Sequence, residues 1–267
     1  MNQDNEMDLL YHYSSASIAI EKILGTMKLR LSPLKKLNDP REYKELRFTL
    51  INASSNPLDY LKIQKKLNTL IKSRFKVVCF CESQFITEET EQVLRKGSSR
   101  ARMWSQYGDN HSGICLAFSK TLIEEQVNRV LYRDKIFLGK IEYKGCTHID
   151  DQILTLDFKE YLKNKNNYLF KHVSNYYKEL FFIKNIDYRD ENEYRIVYYE
   201  NKPGYIFINI KNALKGIILG DNFCQKNKKY LSIIENYVKM NNLFCEKKHW
   251  ESGDSYTFPV DFKNECK

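Results

Sequence analysis

The chain has 267 residues, of which 42% are hydrophobic and 13% aromatic, so it can bury a substantial core and is not a disordered polymer. Its formal net charge of +9 favours polyanionic partners, nucleic acid first. No apolar run approaches the roughly 20 residues that span a bilayer, so we expect a cytoplasmic protein with no membrane partner. Without repeats or a Gly/Ser-rich linker, residues 1–267 are interpreted as one domain.

The first elements along the chain are a strand in LYHYSS, a helix that ends near Gly25 and a second strand that ends at Ser32. LYHYSS places His12 between two tyrosines. Both ring nitrogens of a histidine need partners in a core, so His12 is either a satisfied structural residue or part of a binding site. In LNDPREY, which follows, Asp39 is predicted to cap the next helix, and we favour this structural role over a catalytic one.

A basic amphipathic helix is predicted next. Residues 61–76 carry six Lys or Arg and no acid, and their apolar residues recur at spacings of three and four. The lysines fall mainly outside the apolar stripe: Lys62, Lys65, Lys66 and Lys72. They either contact a polyanion or form an ordinary solvated face.

The middle of the chain combines two buried strands with a polar loop. FKVVCFCES predicts a central strand, on which Cys79 and Cys81 share one side as buried thiols, because their spacing is wrong for a zinc pair. MWSQYGDNHSGICLAF predicts a turn that leads into another strand. Trp104, Tyr107 and His111 either plug the core there or stack against a substrate base.

The remaining elements complete an irregular alternation of strands and helices, which predicts an α+β fold. KIFLGKIEY, ENEYRIVYY, PGYIFINI and LKGIILG are predicted strands, and 151–183 is a predicted helix. The C-terminal part, 221–267, is predicted to be helical at 225–242 and then a polar tail.

ENEYRIVYY carries the strongest constellation of chemical groups. Glu191 and Glu193 are two residues apart, so on one strand both carboxylates face the same side, about 7 Å apart. Their repulsion is unfavourable unless they bind something. The alternative is that Glu191 lies in a solvated loop before the strand.

These motifs together resemble a large bacterial family, domain of unknown function 2971. The resemblance rests on LYHYSS, KLRLSP, LNDPREY, CFCES, MWSQYGDNHSGICLAF and ENEYRIVYY, in this order, over roughly residues 9 to 220. The chain departs from the family pattern at Ile186 to Tyr188, where a tryptophan is usual, and at Arg41, where a phenylalanine is usual.

The order of motifs also resembles the ADP-ribosyltransferases, particularly their DNA-modifying toxin branch. This second resemblance implies a split, mostly antiparallel sheet flanked by helices, with LYHYSS and ENEYRIVYY on neighbouring strands. It implies NAD as a substrate, no metal, and a nucleic-acid acceptor. It also implies a toxin or phage-defence effector, with a neutralising antitoxin or a defence-system partner.

The same resemblance assigns the site. Glu193 would stabilise the oxocarbenium-like transition state of NAD cleavage, and Glu191 would orient the acceptor. The implied cofactor-binding residues are His12, Tyr13, Ser14, Arg30, Ser32 and Arg195, with Tyr13 stacked on nicotinamide and the two arginines at the pyrophosphate. The implied substrate-binding residues are Trp104, Tyr107, His111, Lys62, Lys65 and Lys66.

Two other functions fit parts of the sequence. Asp134, Glu142 and Lys144 follow the loose acid, strand, E-x-K pattern of a metal-dependent nuclease. Charge and aromatic content alone would also suit a non-catalytic nucleic-acid-binding module. NAD dependence would exclude the nuclease, and loss of function in Glu193→Ala would exclude the binding module.

Overall fold

A computed structural model describes residues 6–37, 39–53, 56–88 and 91–265. Asn38, in the predicted turn before Asp39, lies outside the described residues. The strands are β1 Leu9–Ser14, β2 Lys28–Pro33, β3 Thr49–Ile51, β4 Phe75–Glu82, β5 Gln84–Glu88, β6 Glu91–Arg95, β7 Ile114–Ser119, β8 Ile136–Lys140, β9 Glu142–Lys144, β10 Thr155–Asp157, β11 Ile183–Asn185, β12 Glu193–Tyr199, β13 Ile206–Asn209, β14 Leu214–Leu219, β15 Phe244–Glu251 and β16 Asp254–Pro259.

The helices alternate irregularly with these strands. They are α1 Ile18–Leu24, α2 Pro40–Tyr43, α3 Pro57–Arg74, α4 Ala101–Gln106, α5 Lys120–Val130, α6 Phe158–Lys163, α7 Lys165–Asn175, α8 Tyr177–Phe181, α9 Phe223–Asn227 and α10 Leu231–Asn241. α1 is a π-helix, and short 3₁₀ segments occur at Leu34–Lys36, Arg133–Lys135, Ile186–Glu191 and Lys228–Tyr230. The chain is therefore α+β, as predicted.

In the described part of the chain, ten strands form one sheet, and β4 lies near its centre. β4 is rich in Val, Phe and Cys and is buried along almost its whole length, as its apolar sequence predicts. β12 pairs with one edge of β4, from Glu193↔Cys81 to Tyr199↔Phe75, and β8 continues the sheet beyond β12. Most pairings are antiparallel, whereas β14 and β15 pair in parallel.

On its other edge β4 meets two different strands, so the sheet forks. β1 pairs with one end of β4, at Tyr11↔Cys81, and continues into β7, β14, β15 and β16. β2 pairs with the other end, at Ser32↔Val77, and continues into β13. We call the gap between β1 and β2 the fork. Because β4 separates β1 from β12, the expectation that LYHYSS and ENEYRIVYY lie on neighbouring strands is wrong.

Helices cover both faces of the sheet. On one face α1, α5 and α10 pack against the sheet, and Phe80, Phe118 and Tyr194 contribute to that core. On the other face α3, α7 and α8 pack around Phe75 and Val197. The two cores are built from alternating residues of the same strands, so side chains one residue apart on β4 or β12 reach opposite faces.

Two predicted segments differ from the structure. The predicted helix at 151–183 is interrupted: it contains β10 and three separate helices, because the backbone of Asn164 and Tyr176 leaves the helical region between them. The predicted polar tail forms β15 and β16, which pair as an antiparallel hairpin at one end of the sheet. β15 carries three consecutive charged residues, Glu246, Lys247 and Lys248, of which Lys248 is buried and donates to the Ser99 and Thr257 hydroxyls. In the described residues, no helix has the length and apolarity to span a membrane.

Candidate functional site at the fork

A cavity of about 890 Å³ opens at the fork and is lined by residues of β1, α1, β2, β4, α2 and β12. This volume lies within the range of small-molecule sites. His12 spans the gap between the two branches of the sheet: its Nδ1–H donates to the Cys79 carbonyl oxygen at 3.0 Å. Burial lowers the pKa of His12, so the ring is neutral at neutral pH and carries its lone pair on Nε2.

The inner part of the cavity is formed by a buried cluster of charges, which we call the acidic floor: Asp39, Glu42, Lys184, Glu191, Glu193 and Arg195. Glu193 begins β12, and both of its oxygens face cations. Arg195 binds both oxygens of Glu193, and Lys184 Nζ lies 2.8 Å from Glu193 Oε2. Glu193 and Arg195 are two residues apart on one strand, so they share a face.

Glu191 also pairs with Lys184, but it belongs to a different element from Glu193. It ends a 3₁₀ helix rather than lying on β12, and Asn192 between the two glutamates adopts a left-handed backbone with φ of 39°. Asn tolerates this conformation better than most residues. Lys184 Nζ lies 2.6 Å from Glu191 Oε2. The prediction of two carboxylates on one strand is therefore wrong, and so is its alternative of a solvated loop, since Glu191 is only 2% exposed.

The segment after β2 completes the floor. Asp39 caps α2 as predicted, with Oδ1 accepting from the Arg41 backbone N–H at 2.9 Å. The cap brings Glu42 into the cluster, where its carboxylate pairs with Arg195. Among the described residues, Asp39 Oδ2 and Glu191 Oε1 are buried without a hydrogen-bond partner.

Within the acidic floor, three glutamates and one aspartate face one lysine and one arginine, and Lys72 and Arg41 add positive charge beside Glu42 and Asp39 from outside the cavity lining. Burial raises the pKa of both Glu42 and Glu191. Burial also acts to raise the pKa of Glu193, but Arg195 and Lys184 together outweigh it and lower the pKa to about 2. Of the three glutamates, Glu193 therefore has the strongest preference for the ionised form.

The outer part of the cavity is basic, and we call it the basic rim. It consists of exposed side chains that line the same cavity: Lys22, Lys28, Arg30 and Lys36. The guanidinium carbon of Arg30 lies 4.6 Å from the centroid of the Tyr205 ring. Phe207, whose ring is exposed, pairs with Arg30 across β2 and β13. One cavity thus joins an exposed cationic surface to a buried anionic one.

The structure brings eight of the fourteen predicted site residues to this cavity. Those that line it are Glu193, Glu191, His12, Tyr13, Arg30, Ser32, Arg195 and Tyr107. The guanidinium of Arg195 is 1% exposed and is bound by Glu193, Glu42 and the Phe181 carbonyl oxygen. It is therefore a counter-ion within the protein rather than a pyrophosphate ligand.

Other predicted residues lie in the protein core or elsewhere. Tyr13 packs edge-on against Trp104, with ring centroids 5.1 Å apart, and its hydroxyl donates to the Gly97 carbonyl oxygen. Trp104 is fully buried and donates Nε1–H to the Ser98 carbonyl oxygen. The fully buried Trp104 ring is not available to stack on a ligand, so its predicted stacking role is wrong, whereas Tyr13 lines the cavity and its predicted role stays a prediction. Ser14 and His111 do not belong to the cavity lining, and His111 contacts Trp250 instead.

The predicted polyanion lysines divide in two groups. The side chains of Lys62, Lys65 and Lys66 are exposed on α3. Lys62 Nζ lies 3.7 Å from Asp59 Oδ1. Lys72 is buried and donates to the Glu42 carbonyl oxygen. Burial lowers the pKa of Lys72 to about 8. Lys72 is therefore part of the support for α2 and cannot contact a polyanion.

The residues of the nuclease alternative are not assembled. Asp134 precedes β8 and Glu142 follows it, so at about 3.3 Å per residue they lie at opposite ends of a strand. Glu142 pairs with Lys144 at 3.2 Å on the surface. Within the described ranges, no group of three or more His, Cys, Asp or Glu side chains is arranged to hold a metal ion.

Sequence reasoning missed Lys184 and Glu42 and gave Asp39 only a structural role. Lys184 lies on the three-residue strand β11, directly after the apolar residues Phe181 to Ile183. A lysine in so apolar a setting is a signal of a buried ion pair. The sequence indicated Glu42 more weakly, only by its position in the first turn of the helix that Asp39 caps.

Residues 103–196 match the model of a family described as "Protein of unknown function (DUF2971)". The match supports the resemblance to that family over this part of the chain, which runs from α4 into β12 and includes Tyr107, Lys184, Glu191 and Glu193. No match was found among the curated proteins or among the solved structures.

Proposed function

We propose that the chain binds NAD in the cavity at the fork and transfers ADP-ribose from it to a nucleic-acid acceptor. The observation that carries the proposal is the division of one cavity into a basic rim and an acidic floor. NAD has the complementary division, with an anionic pyrophosphate in its middle and a cationic nicotinamide riboside at one end. The pyrophosphate would lie against Arg30 and the lysines of the rim, and the nicotinamide riboside would lie against the floor.

The reaction breaks the bond between ribose C1′ and the nicotinamide nitrogen. The electron pair of that bond leaves with nicotinamide, and the ribose becomes oxocarbenium-like before the acceptor attacks C1′ and loses its proton. A fixed carboxylate near the developing cation stabilises the transition state more than the ground state. Glu193 suits this role, because Lys184 and Arg195 hold it in place and keep it ionised.

A nucleic-acid acceptor is supported by the net charge of +9 and by the exposed lysines on α3 and at the rim. Such an activity would make the protein an effector of the toxin or phage-defence kind, with NAD as its substrate.

The test is nicotinamide release and transfer of label from NAD carrying the isotope in its ADP-ribose part. Wild-type protein is incubated with DNA, with RNA or with protein extract. Glu193→Gln should slow release by about a hundredfold to a thousandfold, because Gln keeps the shape but not the charge. Glu82→Gln is the matched control. Glu82 is also buried between two lysines, Lys120 and Lys140, but lies outside the cavity lining. Wild-type release no faster than that of folded Glu193→Gln would refute the proposal.

A further inference from the structure

Three carboxylate oxygens of the acidic floor have no hydrogen-bond partner among the described residues; Glu42 Oε1 is ion-paired with Arg195, which leaves one oxygen of Asp39 and one of Glu191. Asp39 is 6% exposed and Glu191 is 2% exposed, and both side chains line the cavity. Asp39 Oδ2 and Glu191 Oε1 have no hydrogen-bond partner in the described part of the chain. A buried acceptor without a donor is unfavourable, and native proteins leave few of them. Two such oxygens on the wall of one cavity therefore need a common explanation.

Each carboxylate is held through its other oxygen. Asp39 Oδ1 accepts from the Arg41 backbone N–H, and Glu191 Oε2 pairs with Lys184. One oxygen of each carboxylate is therefore fixed by the protein, and the other is left for a donor from a ligand in the cavity that both side chains line.

The chemistry of these oxygens restricts the ligand. Ionised carboxylates only accept hydrogen bonds, so the floor repels phosphate and favours hydroxyl or N–H donors. The basic rim of the same cavity favours phosphate. A ligand that satisfies both ends carries two neighbouring donors at one end and a phosphate further along, which is the pattern of a ribonucleotide with a free ribose diol.

We propose that Asp39 and Glu191 form a two-point acceptor for the 2′- and 3′-hydroxyls of a ribose, and that this site orients the ligand with its ribosyl end inward. The proposal deepens the proposed function and rests on it for the identity of the ligand as NAD. In NAD the ribose at the floor is the one that carries nicotinamide. Asp39 and Glu191 thus bind the ribose through its hydroxyls, while Glu193 acts through its charge.

The test is equilibrium binding by calorimetry, which needs no turnover. The two probes are NAD and an NAD analogue that lacks the 2′-hydroxyl of the nicotinamide ribose. Wild-type protein should bind the analogue about tenfold to a hundredfold more weakly, as expected for loss of a hydrogen bond to a charged group. Asp39→Asn and Glu191→Gln should each bind NAD more weakly and discriminate less between the two probes.

The variants are chosen so that folding is preserved. Asn caps a helix as well as Asp does, and Gln still offers an acceptor to Lys184. Asp157→Asn is the control for the first variant, because Asp157 caps α6 through Glu160 N–H outside the cavity lining. Glu82→Gln is the control for the second. Both controls should keep wild-type affinity and discrimination.

Three outcomes would overturn the inference: equal affinity of wild-type protein for both probes, undiminished discrimination in both variants, or no binding of either probe. The proposed function fails separately. If NAD is bound with the expected discrimination but no nicotinamide is released with any acceptor, the diol site stands and the transfer reaction does not.

Discussion

The buried cluster predicts a pH-dependent loss of stability in Glu193→Gln. Burial of Glu193 is outweighed by Arg195 and Lys184, which lower its pKa from 4.5 to about 2. At about 1.36 kcal/mol per pKa unit, the shift contributes about 3 kcal/mol to the free energy of unfolding at pH 7. Because the unfolded chain takes up the proton first as the pH falls, this contribution is complete above about pH 4.5 and is lost towards pH 2. At pH 3 about 1.4 kcal/mol of it remains.

Gln has a similar volume and keeps one acceptor for Arg195, but it has no charge to titrate. Urea unfolding of both proteins at pH 7, 5 and 3 gives the difference in free energy of unfolding at each pH. We expect the difference to shrink by about half between pH 7 and pH 3. Glu142→Gln, at an exposed glutamate, controls for the chemical change and should show a difference near zero at each pH. A difference for Glu193→Gln that is constant or grows towards pH 3 would contradict the assigned ion pairs.

The other predictions concern Trp104 and the lysines of α3, whose predicted binding roles depend on whether each side chain is buried or exposed. Trp104→Ala should lower the free energy of unfolding by about 3–5 kcal/mol, because the ring is fully buried; a loss below about 1 kcal/mol in urea unfolding would contradict that position. Replacing Lys62, Lys65 and Lys66 together by Gln should reduce the salt dependence of nucleic-acid binding, by a slope of about 0.9 for each lysine that contacts phosphate; an unchanged slope leaves α3 a solvated face. Lys72→Met should leave that slope unchanged and lower stability by about 1–3 kcal/mol, since it loses a buried hydrogen bond to Glu42; a lower slope with intact stability would contradict its burial.

The sequence predicted best the buried strands. Apolar and aromatic residues dominate β4, β7 and β12, with charged residues only at Lys76, Glu82, Glu193 and Arg195, and such runs predict buried strands wherever they pair. β15 and β16 were missed because the consecutive charged residues Glu246 to Lys248 and the polar residues around Gly253 resemble a loop. The helix predicted at 151–183 failed because local pattern does not reveal the breaks at Asn164 and Tyr176.

The site was predictable only in its local part. Glu191, Glu193 and His12 stood out because acids and histidines are unusual in buried strands. Their partners could not be found in the same way, because Lys184 meets Glu193, and Glu42 meets Arg195, only after β11, β12 and α2 converge. The spacing of these residues along the chain does not predict that their side chains are in contact.

The composition of the acidic floor argues that it serves a ligand more than it serves stability. The shift of the Glu193 pKa measures the ion pairs against a protonated Glu193; measured against apolar residues of the same size, buried ion pairs contribute little, since the loss of hydration offsets most of their attraction. The floor leaves Asp39 Oδ2 and Glu191 Oε1 without hydrogen-bond donors, and burial there raises the pKa of Glu42 and Glu191. The residues with these unfavourable features, Asp39, Glu42 and Glu191, all line the same cavity. Perturbed groups concentrated in a cleft are typical of functional sites, and a donor-bearing, cationic ligand would relieve each of these costs.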